Sequence, residues 1–359
     1  MVFRRIIDFF RIKKKEGKEE IKEEITETKR EKTEKEIKVT PFEYVYKHKK
    51  EGTKEDRILT EEKVTGVEGK KEKEIIIDEA VEKKEERDFT TTSKEEEEIR
   101  RIIAIANQKG GVGKSTTAIN MSASMANMGK KVILIDIDPQ ANATSGLGIN
   151  KYEVNMSIYD AIIEKVKINE LIKETKINGL FIIPSNIHLA GAEVEMTNMM
   201  MREQKLKKII KPIREIYDFI IIDCPPALGI LTINALVAAD EILIPIQCEY
   251  YALEGLGQLL KTIDLVKNNL NKDLKICGFV MTMYDSRLKL SNEVVEEVRS
   301  HFGDKVYKTI IPRNVRVSEA PSYGLPVNLY NPNCKGAIAY ENFTKEVINY
   351  GKKRLRERT

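Results

Sequence analysis

One octapeptide limits the fold more than anything else in the chain: Lys109-Gly110-Gly111-Val112-Gly113-Lys114-Ser115-Thr116, set between an apolar run and a helical pattern. Glycines at this density let backbone N–H groups curl around an anion, and a helix beginning there turns its positive end toward it. The helix is readable from Ala118, Met121 and Met125 and stops near Gly129. A strand–turn–helix unit of this kind belongs to a parallel sheet, although a glycine-rich turn can also be a plain tight connection.

The surrounding sequence supports that architecture. Short runs rich in Ile and Val, at 102–106, 132–135, 180–183, 219–222, 242–246, 276–281 and 306–311, alternate with helical patterns, the last from 337 to 355. Continuous apolar strands separated by helices predict a doubly wound, mostly parallel α/β sheet covered on both faces.

The first hundred residues read differently. They hold 27 Lys+Arg and 29 Asp+Glu, which leaves 34 basic and 28 acidic residues for the remainder. A stretch this charged buries too little apolar surface to offset its ordering entropy, so residues 1–98 are expected to be a largely disordered extension of a domain at 99–355. Within it, Phe3, Ile6, Ile7 and Phe10 have helical spacing and basic neighbours. An amphipathic helix over 3–12 that touches a membrane or a partner groove is one reading, and a plain tail is the other. The modest basic excess of the folded part permits an anionic partner. Cys224, Cys248, Cys277 and Cys334 form no CxxC pair, which argues for a reducing cytoplasm and against a disulfide or metal framework.

Carboxylates complete the site. Asp136 and Asp138 follow the second apolar run and Asp223 ends the fourth, where strand ends border a ligand crevice. Lys114 would neutralise phosphate charge, with Ser115, Asp223 and Asp138 at Mg²⁺ and Asp138, backed by Asp136, also positioning water. Strand-end aspartates also cap helices, so each one alone is ambiguous.

These residues resemble the ParA/Soj/MinD group of ATPases with a deviant phosphate loop, in which a second lysine, here Lys109, precedes the glycines; Gln108 stands where the ordinary motif has its first glycine. The likeness extends from Arg101 to about Gly351 and is closest to the chromosomal Soj-like members. It rests also on Asp136-Ile137-Asp138-Pro139-Gln140, Asp223-Cys224-Pro225-Pro226, Gln247-Cys248-Glu249-Tyr250-Tyr251 and Ile311-Pro312-Arg313-Asn314-Val315-Arg316. The resemblance implies ATP and Mg²⁺ as cofactors, bound by Lys109, Gly110, Gly111, Val112, Gly113, Lys114, Ser115 and Thr116. It places Pro312 and Asn314 on the adenine and gives Asp138 the hydrolytic role. It implies an ATP-sandwich homodimer bridged by Lys109, non-specific DNA binding through Arg287 and Arg316, and slow turnover accelerated by a ParB-like centromere-binding protein in a cytoplasmic, nucleoid-associated setting. Lys289, Lys305, Lys308 and the cluster Lys352, Lys353 and Arg354 would extend the basic surface. Soj-like proteins usually begin near the first strand, so the extension is a departure. Alternatives are a MinD-like membrane-associated positioning ATPase, an iron–sulfur reductase and a DNA-dependent regulatory switch.

Overall fold

A computed structural model describes residues 100–249 and 254–356. The charged extension, the stripe at 3–12, the stretch 250–253 and the side chains of Lys352, Lys353 and Arg354 lie outside the described residues.

Seven strands form one sheet in the order β3-β4-β2-β5-β1-β6-β7. They are β1 (Arg101–Ile105), β2 (Val132–Asp136), β3 (Lys173–Glu174), β4 (Leu180–Ile183), β5 (Phe219–Asp223), β6 (Glu241–Gln247) and β7 (Lys275–Thr282). All pairings are parallel except the short β3 on β4. Every residue of β1, β2 and β5 is buried, as continuous apolar runs require when helices cover both faces.

Side chains alternate across that sheet. Ile102 and Ala104 join one core with Leu231 and Leu236 of α6 (Ile230–Ala238), Leu259 of α7 (Glu254–Asn269) and Val298 of α8 (Lys289–Phe302). Ile103 and Ile105 join the other with Met121 and Met125 of α1 (Lys114–Asn127) and Tyr340, Phe343 and Val347 of α11 (Lys335–Arg356). Among the described residues, six short α-helices lie between α1 and α8 or beyond it in sequence, of which α2 (Asn142–Gly146) and α9 (Val315–Glu319) matter for the site.

The run at 306–311 does not become a strand. Tyr307 and Ile311 donate to Phe279 and Met281 of β7, but the N–H groups of Lys308 and Thr309 between them go to the Glu346 carboxylate, at 2.8 Å each. A side chain of α11 thus replaces the ladder and leaves isolated bridges at Val306 and Pro312. β3, which has two exposed charged residues and no apolar pattern, takes the seventh place instead.

At the opposite rim from the phosphate loop, Arg101 is buried against Glu241, to which its Nε donates at 2.8 Å, while Nη1 donates to the Val347 carbonyl of α11. Removing one member of a buried pair strands the other charge. Glu241→Gln should therefore lower unfolding stability by about 3 kcal/mol in a denaturant titration; a loss under about 1 kcal/mol would mean that Arg101 does not depend on this partner.

Candidate nucleotide site

The phosphate loop leaves the end of β1 and enters α1 through Gly113, whose φ of 88° lies in the left-handed region that favours glycine. Gly111 shares that region at 75°. The loop is fastened at three points. Asn107 accepts from the Lys109 N–H at 3.0 Å and donates to the Pro245 carbonyl of β6 at 2.7 Å. The Thr282 hydroxyl at the end of β7 donates to the Val112 carbonyl at 2.9 Å. Asn120 of α1 donates to the Thr116 carbonyl and accepts from the Val327 N–H, both at 2.7 Å. None of these three supports was singled out from the sequence. Asn107 stands two residues before the phosphate-loop octapeptide, whereas Thr282 and the tie from Asn120 to Val327 carry no local signal because those partners are remote.

Lys114 is buried and donates to the Lys109 carbonyl at 3.1 Å. Burial pulls its pKa down, and Asp223, Cys224 and Asp138 oppose that fall. Lys109 itself is partly exposed, with its Nζ 3.6 Å from a Glu249 oxygen.

Strand register explains the carboxylates. Asp136 at the end of β2 is in register with Asp223 at the end of β5, which also pairs with Ile105 of β1. Both are fully buried, yet their surroundings differ. Asp136 Oδ2 accepts from the N–H and hydroxyl of Thr144 at 2.9 and 2.7 Å, and Oδ1 accepts from the Asp138 N–H at 3.1 Å. Burial still lifts its pKa to about 6. Its oxygens are committed to holding the loop that carries Asp138, so it serves that loop from behind.

Neither oxygen of Asp223 has a hydrogen-bond partner among the described residues. Burial raises its pKa well above the carboxylate range and the neighbouring Asp136 adds repulsion, while the Ser115 hydroxyl and Lys114 favour its charged form. A buried acceptor left open in this way costs stability unless a cation is supplied. The donor set, a carboxylate and a hydroxyl beside a phosphate loop, suits a hard divalent cation that keeps oxygen ligands. Asp138, almost fully buried, accepts from the Gln140 N–H at 2.9 Å and faces the same electrostatic neighbourhood as Lys114.

The remaining candidates lie along the loops after β7. Tyr284 bridges Pro312, and its carbonyl accepts from the Arg313 N–H at 2.8 Å, which joins the loop carrying Arg287 to the segment that leads into α9. Asn314 caps α9 by accepting from the Arg316 N–H at 2.9 Å, leaving its amide NH₂ for another partner. Three of the four cysteines, Cys224, Cys248 and Cys277, are buried within the cores. Among the described residues no helix is long and apolar enough to cross a membrane.

Known proteins share this arrangement. A family model described as an AAA domain matches residues 100–276. The sporulation initiation inhibitor protein Soj of Bacillus subtilis (strain 168) is 55% identical over 251 residues, spanning 70% of this chain and 99% of Soj. The chromosome partitioning protein ParA of Myxococcus xanthus (strain DK1622) is 52% identical over 250 residues, 70% of this chain and 88% of that protein. Among solved structures, a cobyrinic acid a,c-diamide synthase from Mycobacterium smegmatis with bound ADP and magnesium superposes with a TM-score of 0.63 at 35% identity, covering 71% of this chain and 96% of its own. With its phosphate loop and strand-end aspartates in place and a relative matched at this identity over nearly its whole length, the chain belongs to the Soj/ParA family of chromosome-partitioning ATPases.

Proposed function

We propose that this ATPase is a timed switch for DNA segregation: Mg-ATP closes two copies into a sandwich dimer, the dimer holds DNA without reading its sequence, and hydrolysis releases it. The observation that carries the reading is the orphaned, buried Asp223 carboxylate beside Ser115 and Lys114, which calls for Mg²⁺ and a nucleotide together.

Each residue has a definable task. The N–H groups of the glycine loop and the Lys114 ammonium bind the β and γ phosphates, and the bound Mg²⁺ spreads their negative charge. Ser115 and Asp223 hold that ion, and Asp138 orients water on a loop that Asp136 and Thr144 keep rigid. Lys109, whose ammonium is paired among the described residues with a half-exposed Glu249, leaves it to reach the phosphates of the second copy. An ion pair of that exposure is worth at most about 1 kcal/mol, so the exchange is inexpensive. Pro312 packs on adenine and the free Asn314 amide donates to it. Arg287, on the loop after β7, and Arg316, in α9, are both exposed and contact phosphates of DNA.

Turnover by the protein alone is slow, and a ParB-like centromere-bound protein accelerates it in the cytoplasm at the nucleoid. The name of the relative at 52% identity, a chromosome partitioning protein, supports DNA as cargo.

DNA sedimentation and phosphate release test this directly. Lys114→Ala should abolish ATP-dependent DNA retention and reduce hydrolysis at least about 100-fold, because a charge-neutralising cation is lost where phosphate charge develops. Asp138→Ala should retain ATP-dependent DNA binding while hydrolysis falls by a similar factor; brisk hydrolysis by this variant would reassign the water-positioning residue.

A further inference from the structure

Arg287 and Arg316 share an arrangement that no motif announced. Arg287 forks onto Asp285, with Nε to Oδ1 at 2.9 Å and Nη2 to Oδ2 at 2.7 Å. Arg316 Nη1 donates to Glu319 Oε2 at 2.7 Å. Each acid is anchored independently of its arginine side chain. Asp285 Oδ1 also accepts from the Arg287 N–H at 3.1 Å, and Glu319 Oε2 accepts from the Tyr330 hydroxyl at 3.2 Å, with the Tyr330 ring stacked on Tyr323.

The arginine side chains are 85% and 52% exposed and the acids 15% and 37%, so each guanidinium is open to solvent although Asp285 is largely covered. The loop after β7 and the helix α9 each place a carboxylate within three residues of an exposed guanidinium, Arg316 and Glu319 as an i,i+3 pair. Hydrogen bonds from Arg287 hold the Asp285 pKa down to about 2, so it remains charged throughout the physiological range. While a pair is intact the arginine offers little net charge to a phosphate, and the carboxylate repels it. With its guanidinium exposed, each arginine can exchange its acid for a phosphate when many contacts form together.

We propose that Asp285 and Glu319 are built-in competitors for DNA phosphates, holding both arginines in internal pairs so that a single protomer binds DNA poorly and the doubled surface of the ATP dimer is needed to displace them. This rests on the reading of Arg287 and Arg316 as DNA contacts. It makes the ATP dependence of DNA binding a property of four surface residues as well as of dimerisation.

The test is fluorescence anisotropy of the full-length, nucleotide-free protein with a random-sequence DNA duplex over a series of salt concentrations. Asp285→Asn and Glu319→Gln should each tighten nucleotide-free binding about threefold, the double variant about tenfold, as release of weak exposed pairs allows. The gap between nucleotide-free and ATP-bound affinities should narrow accordingly. Thermal melting reports the fold, and Glu319→Gln carries the test alone if Asp285→Asn loosens its turn. Unchanged or weaker nucleotide-free binding would overturn the proposal and make the acids supports that aim the arginines. Arg287→Ala and Arg316→Ala separate the two levels. If they leave ATP-dependent DNA binding intact, the DNA reading itself fails; if they abolish it while the acid variants bind as the wild type does, only the competitor role fails.

Discussion

A fully buried carboxylate whose favourable neighbours are only the Ser115 hydroxyl and Lys114 among the described residues is the constraint around which this molecule is arranged. Asp223 sits at the end of a central strand, between two other strand ends, and its charge is disfavoured by burial and by Asp136 next to it. Lys114 and Ser115 compensate in part, and a divalent cation would complete the compensation. The cost of keeping this acceptor open is spread over the sheet, whose continuous apolar strands and two covering layers fix the crevice.

The same constraint explains why so many side chains around the site point at backbone atoms. Asn107, Asn120, Thr144 and Thr282 each spend their polar groups on holding a loop. Two of these contacts reach away from the nucleotide crevice. Thr282 ties the phosphate loop to the end of β7, which leads to Arg287, and Asn120 ties α1 to Val327, on the segment that follows Arg316. The elements that would touch nucleotide and those that would touch DNA are therefore parts of one hydrogen-bonded framework. A coupling of this kind needs differential contacts in two states, and these ties are where such differences would be transmitted.

Much of this was legible beforehand because its determinants are local. Six of the seven apolar runs are strands, since continuous Ile and Val runs have one good solution under two helical layers, and the phosphate loop announces itself by glycine spacing. The last helix, read as 337–355, spans Lys335–Arg356. What escaped depends on distant partners. The run at 306–311 has strand composition, but Glu346, far along the chain, takes the N–H groups a ladder needs. Asp136 and Asp223 look alike in sequence, and only the Thr144 clamp makes one a support and leaves the other open. The pairing of Arg287 and Arg316 with acids was equally invisible, because nearby opposite charges are common in a chain this charged.

The most direct measurement is calorimetric titration of the protein with a non-hydrolysable ATP analogue, with and without Mg²⁺, compared with Asp223→Ala. If Asp223 is the open ligand of a nucleotide-bound cation, Mg²⁺ should tighten binding to the wild type at least about tenfold and should have little effect on the variant, whose Mg²⁺-free binding equals or exceeds that of the wild type because a buried negative charge near the phosphates is gone. The same Mg²⁺ enhancement in both proteins would contradict the account and require another residue to hold the ion.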